Sequence, residues 1–282
     1  MKQFIFSACL LATALAMTGC PKQLPILAVI LSNNDGTSKA PITLAEIDKW
    51  VDTANITYTG HGYQFTFDHN DVVDVKTTML NRVPVVPAGW QPDPAHGLYF
   101  SEQDMYDMFA NSIAAGYPDK LVVFFRNEGG GGWSWGPPQL RYISMPSYTH
   151  TGISKPNPAI WNPNDTLLAH EAGHYLGLPH TFTGVACNAA TLSNTDGDKD
   201  GQDAYTTADD ITDTAPDPNA DCAPTTSFDC SNPTVVVNGH TFTPPWTNIM
   251  TYHDCFPESI SLDQRKVITL TLQDPMRAGI PK

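Results

Sequence analysis

The run 167–180, Leu-Leu-Ala-His-Glu-Ala-Gly-His-Tyr-Leu-Gly-Leu-Pro-His, constrains this chain more than any other stretch. Its spacing fits a helix that stops abruptly. Residues four apart share one helix face, so the imidazoles of His170 and His174 can converge on a single point. Glu171 is too near them in sequence to share that geometry, but is well placed to hold a water there. Gly177 tolerates the positive φ that a sharp helix exit requires. Pro179 keeps the helix from running on, and His180 can swing back as a third imidazole. Three neutral imidazoles with one position left open describe a catalytic zinc site rather than a closed structural one. His-Glu-x-x-His alone does arise by chance. Extended by x-x-Gly-x-x-His, it fixes five positions and is far harder to reach by accident.

This run resembles the metzincin metallopeptidases. The resemblance implies a methionine turn beneath the metal, and Asn248-Ile249-Met250-Thr251-Tyr252 offers one. Met250 would be the hydrophobic floor and Tyr252 the tyrosine that some metzincins place near the metal. With Thr181-Phe182 after it, the helix looks most like the pappalysin branch. So do Cys255, soon after the methionine turn, and Asp213-Thr214-Ala215-Pro216. The last is close to that branch's Asp-Thr-Pro, with Ala215 inserted. The resemblance covers residues 167–264 and implies an α+β metzincin-like catalytic domain at residues 26–282. In it, a twisted mixed sheet with helices (26–177) stands above an irregular lower subdomain (178–282) stabilised by disulfides and calcium. Zinc would lie at the floor of the cleft between them. In metzincins the strand before the zinc helix is an edge strand that pairs with extended peptide, a place taken here by residues 140–145.

A chain of 282 residues is long enough for a full core. Its formal charge of −14 argues against nucleic acid as a partner. The acid is concentrated: Asp196, Asp198, Asp200, Asp203, Asp209, Asp210, Asp213, Asp217 and Asp221 are opposed only by Lys199. Residues 196–201 read Asp-x-Asp-x-Asp-Gly, an oxygen-rich cup that suits calcium through Asp196, Asp198 and Asp200, with Gln202 and Asp203 beside them. Thr207 stands where a closing glutamate is expected, so Asp203, Asp209 or Asp210 must complete the shell. The bland alternative is a solvated acidic loop.

Residues 1–19 read as a lipoprotein-type signal peptide, with Lys2 at its positive end and an apolar core behind it. Met17-Thr18-Gly19-Cys20 resembles a lipobox, which makes Cys20 the lipidated residue. Cleavage after Ala16 is the alternative, and it would leave Cys20 as an odd thiol. Cys187, Cys222, Cys230 and Cys255 remain as candidates for two disulfides, with three pairings open. Residues 20–25 form a short tether. The patterns then predict strands at 26–31, 64–68, 121–125 and 140–145, and helices at 43–58, 101–115 and 259–272. Asn164, Asp165 or Thr166 can cap the metal-site helix. The glycine- and tryptophan-rich stretch 129–136 is either a flexible surface loop or the rim of a substrate cleft.

The reading is a zinc-dependent endopeptidase with protein or peptide substrates. Glu171 is the general base, and Tyr252 helps to stabilise the oxyanion. The alternative is a calcium-stabilised surface binding or adhesion module with a vestigial zinc site. The protein is expected to be monomeric and exported to a bacterial cell envelope or surface. It would touch the membrane only through the lipid on Cys20, or else be secreted.

Overall fold

The structure is a computed structural model describing residues 20–87, 89–93, 95, 100–147, 166–182, 209, 211–215, 217, 234–237, 240–252 and 259–280. β1, Lys22–Ser32, lies at its centre. Leu24, Ile26, Ala28 and Ile30 enter one apolar cluster, and Leu27, Val29 and Leu31 enter another. A strand that is apolar on both faces needs cover on both faces, as in parallel sheets crossed by helices. β1 begins before residue 26, so part of the expected tether is strand, with Lys22 paired to Tyr63. The polar Lys22 and Gln23 hid these residues from a reading based on apolar runs.

α1, Leu44–Tyr58, starts at a reciprocal cap. The Thr43 hydroxyl accepts from the Glu46 N–H, and the Glu46 carboxylate accepts from the Thr43 N–H. It lays Ile47, Trp50, Val51, Ala54 and Tyr58 on one face of the sheet. β2, Tyr63–Lys76, then returns parallel to β1. It runs well past the expected 64–68 as a largely polar edge, and polar side chains protect an open edge from pairing with other chains. α2, Glu102–Ala114, carries the same kind of cap through Ser101 and Asp104. Its Tyr106, Ala110 and Ala114 cover the opposite sheet face. β3, Leu121–Arg126, is buried along its whole length, and β4, Tyr142–Pro146, forms the far side.

The sheet order is β2-β1-β3-β4, and each of these pairs is parallel. Where a mixed sheet is expected, all three strand pairs among the described residues are thus parallel. Each crossover brings the chain back to the same end before the next strand starts, which forces parallel pairing. Among the described residues, the antiparallel contribution to this sheet is one bridge, Trp133 with Ser144, on the outer side of β4.

α3, Leu167–Tyr175, packs on the α1 face through Leu168, Ala169 and Ala172. α4, Leu262–Thr271, capped by Ser261 and Gln264, adds Ile268 to that core. The part after residue 178 is not wholly irregular. Besides α4 it contains a short antiparallel pair, β5 (Val235–Val237) and β6 (His240–Phe242). Among the described residues, no helix is long and apolar enough to cross a membrane.

Candidate metal centre

α3 brings the motif together. Thr166 occupies its N-cap position without a side-chain capping bond, while Asn164 and Asp165 lie outside the described residues. The helix is held by its neighbours instead. The Tyr58 hydroxyl donates to the Ala169 carbonyl at 2.9 Å. Gly173 is pressed so closely on the Met250 sulfur that a Cβ there would collide with it, and such a Cβ would come within 3.2 Å of the Tyr58 oxygen. The helix ends at Gly177 with φ +91°, the exit conformation expected from the sequence.

The three motif histidines converge. His180 Nε2 lies 3.2 Å from His170 Nε2 and 3.0 Å from His174 Nε2. One ligand atom from each of the three falls within 4.8 Å of the others. His170 Nδ1 is 2.7 Å from the Ile249 carbonyl, and His174 Nδ1 is 2.8 Å from the Leu178 carbonyl. A carbonyl can only accept, so both Nδ1 atoms carry the proton and both Nε2 lone pairs face the cluster. Burial holds His170 down to about 3, with His174 adding to the effect, and holds His180 down to about 2. His174 is lowered as well, chiefly by burial. Three neutral, converging imidazoles are a fitting donor set for zinc, since ligation needs the unprotonated ring.

Glu171 lies beside this cluster and is 4% exposed. The stretch 129–136 folds over it as a strap. Trp133 exchanges two main-chain hydrogen bonds with Ser144, at 3.0 and 2.9 Å. Ser134 is buried, and its hydroxyl donates to the Tyr142 carbonyl at 2.9 Å. Arg126 is fully buried on β3, with its guanidinium 4.4 Å over the Trp133 ring and Nη1 on the Ser144 hydroxyl at 2.9 Å. Arg277 clamps the far end. It stacks 3.6 Å over Tyr175, and its Nη2 donates to the carbonyls of Leu140 and Trp135. Burial pushes the Glu171 carboxyl up to about 8, against the Arg126 charge and the Ser134 N–H, which both pull it down. Of the two readings of 129–136, the rim is the one this packing favours. Trp135 is 53% exposed, and its ring stands 6.0 Å from the His174 ring. The strap also takes the outer edge of β4 at Ser144, so that position is closed to peptide pairing.

The candidate methionine turn lies under α3. Met250 is fully buried, and its N–H donates to Asn248 Oδ1 at 2.9 Å. Asn248 is tied in turn to Gln264 of α4 at 2.8 Å. Tyr252 is 47% exposed, with its ring 5.7 Å from His170 and 4.7 Å from His180. Phe182 stacks on His180 at 4.6 Å. Asp217, noted in sequence only as one of many acids, is fully buried. It accepts from the hydroxyls of Thr181 at 2.6 Å and Thr251 at 2.8 Å. It therefore ties the residue after His180 to the residue before Tyr252.

Asp213 accepts from the Ser261 hydroxyl and the Asp263 N–H, so the segment likened to Asp-Thr-Pro fastens the start of α4. The calcium candidates Asp196, Asp198, Asp200, Gln202 and Asp203 lie outside the described residues. So do the disulfide candidates Cys187, Cys222, Cys230 and Cys255. Cys20 is exposed at the start of β1.

No family model matches the chain, and no curated protein matches it either. Solved structures do. Mature mirolysin of Tannerella forsythia in complex with a cleaved peptide shares 13% identity at a TM-score of 0.55, covering 93% of this chain and 96% of that one. Mirolysin in complex with compound 9 shares 15% identity at a TM-score of 0.55, with the same coverage. At these identities the likeness is one of fold alone.

Proposed function

We propose that this chain is a zinc-dependent endopeptidase, with His170, His174 and His180 holding the metal. The observation that carries the reading is the convergence of three Nε2 atoms next to a buried glutamate, with two of the rings locked in the ligating tautomer by backbone carbonyls. Zinc, when bound, would acidify a water and polarise the scissile carbonyl.

The chain's own residues supply the rest. The Glu171 carboxylate takes the proton from the attacking water and passes it to the leaving amine. A carboxyl raised by burial suits both halves of that exchange, and a nearby dication would draw it back toward the charged form. The Tyr252 hydroxyl donates to the oxyanion as it develops. Trp135 stands against the His174 ring, and Phe182 and Tyr252 against the His180 ring, so aromatic rings flank the cluster. With β4 closed at Ser144, an extended peptide would pair with the strap rather than with β4. Mirolysin, which has this fold, was solved with a cleaved peptide, and that supports peptides as the substrate class.

The pappalysin-like branch, a calcium ion in the loop 196–203, disulfides among the four later cysteines, and a lipid on Cys20 belong to the same proposal. They rest on the sequence. The test is a peptide-library digest read by mass spectrometry, with and without a zinc chelator. Chelator-sensitive internal cleavage is the expected result. A chain loaded with zinc that cut no peptide would sink the reading.

A further inference from the structure

The motif places the Cα of Glu171, but it does not aim the carboxylate. A glutamate has three rotatable bonds, and a base that swings is a poor proton shuttle. Something outside the helix must fix it. Two contacts on the strap do so, and both come from main chain. At Gly132 an added Cβ would stand 2.7 Å from Glu171 Cγ and 2.9 Å from Oε1, so the bare backbone lies directly on the glutamate stem. The Ser134 N–H faces the carboxyl closely enough to favour its charged form. Oε1 is the oxygen turned to Gly132, while Oε2 is buried and has no hydrogen-bond partner among the described protein atoms.

The strap is rigid enough to impose this arrangement. Trp133 is bonded in both directions to Ser144, the Ser134 hydroxyl is fixed to the Tyr142 carbonyl, and Gly136 abuts the Gly177 Cα, where a Cβ would stand at 3.0 Å. Only glycine fits at 132, and the reason lies across the site rather than in its own backbone. Its neighbour Gly131 differs, because a Cβ there would meet nothing within 4 Å.

We propose that Gly132 and Ser134 are positioning residues for Glu171. Gly132 acts through its lack of a side chain and Ser134 through its main-chain N–H. Together they hold one carboxylate oxygen on the strap and leave the other for the reacting water. This rests on the peptidase reading for its purpose, but not for its geometry.

Two measurements test it on the full chain. Gly132→Ala should lower kcat by about 10- to 100-fold, the scale of a small misplacement of a catalytic group, with KM changed by less than about threefold. Zinc content should stay at the wild-type level. Gly60→Ala, away from the strap, should keep kcat within about twofold, since the added methyl meets open space. Gly132→Ala retaining wild-type kcat, or losing only KM, would overturn the proposal. The second measurement needs no activity and covers the case in which Gly132→Ala does not fold. In the 15N-labelled protein, Glu171→Ala should speed hydrogen exchange at the Ser134 amide by about tenfold, once the carboxyl it faces is removed. The Trp133 amide, bonded to Ser144, should not change. A Ser134 amide unmoved by Glu171→Ala overturns the proposal. If wild-type protein cleaves no peptide, the peptidase reading fails by itself, and the amide result still decides on the strap.

Discussion

A carboxylate that moves protons has to be dry enough to be basic and free enough to meet its water. Glu171 satisfies the first condition by burial and the second through an oxygen to which no described protein atom hydrogen-bonds. Tyr252 complements it from the exposed side of the cluster. Tyr252→Phe removes one donor that matters mainly in the transition state. We expect kcat to fall about 10- to 1,000-fold with little change in KM, measured by steady-state cleavage of a peptide found in the library digest. A change confined to KM would assign the tyrosine to substrate binding. Gly173 is the tight spot beneath the site. Gly173→Ala forces a methyl onto the Met250 sulfur, and overpacking of this kind costs about 1–3 kcal/mol, read as a lower urea midpoint at unchanged slope. A midpoint equal to wild type would mean that Met250 simply moves aside.

At the scale of elements, the site joins α3, the strap, the methionine turn and α4. The motif on α3 was legible because a helix places His170 and His174 by local spacing, and Gly177 and Pro179 mark the exit that lets His180 return. β1, α1, α2 and β3 were legible for the same reason, since caps and apolar runs are local signals. The ties between elements were not legible. Thr181 and Thr251 meet on Asp217, Asn248 meets Gln264, and Gly132 lies on the Glu171 stem through main chain that carries no side-chain signal. Asp217 was hidden among acids that look alike in sequence and differ only in burial. Four adjacent glycines signalled a loop but could not say what the loop lies against. The parallel sheet was missed because pairing direction depends on where each crossover ends. Asp217→Ala leaves two buried threonine hydroxyls without their acceptor. A destabilisation of about 1–3 kcal/mol by urea unfolding, with weakened zinc binding in a competition titration, is the expected outcome. Unchanged zinc affinity would confine Asp217 to folding.

For the whole molecule, the acidic loop and the N-terminus extend the account. Carboxylates crowded into one loop repel unless a cation joins them, and a ligand that binds only the folded state raises stability. Asp198→Ala combined with Asp200→Ala should therefore melt lower than wild type in millimolar calcium. Equal melting temperatures would make 196–203 a solvated loop. Intact-mass analysis of membrane-extracted protein should show a chain that starts at Cys20 and carries added acyl mass. An unmodified chain starting at Met17 would refute the anchor. The account as a whole depends on one proton shuttle beside one metal. Its most direct test is the cleavage rate of Glu171→Gln protein in which zinc content has been measured on the same sample. The account predicts wild-type zinc content with peptidase activity nearly abolished, because only the shuttle is removed. Cleavage at the wild-type rate would contradict it.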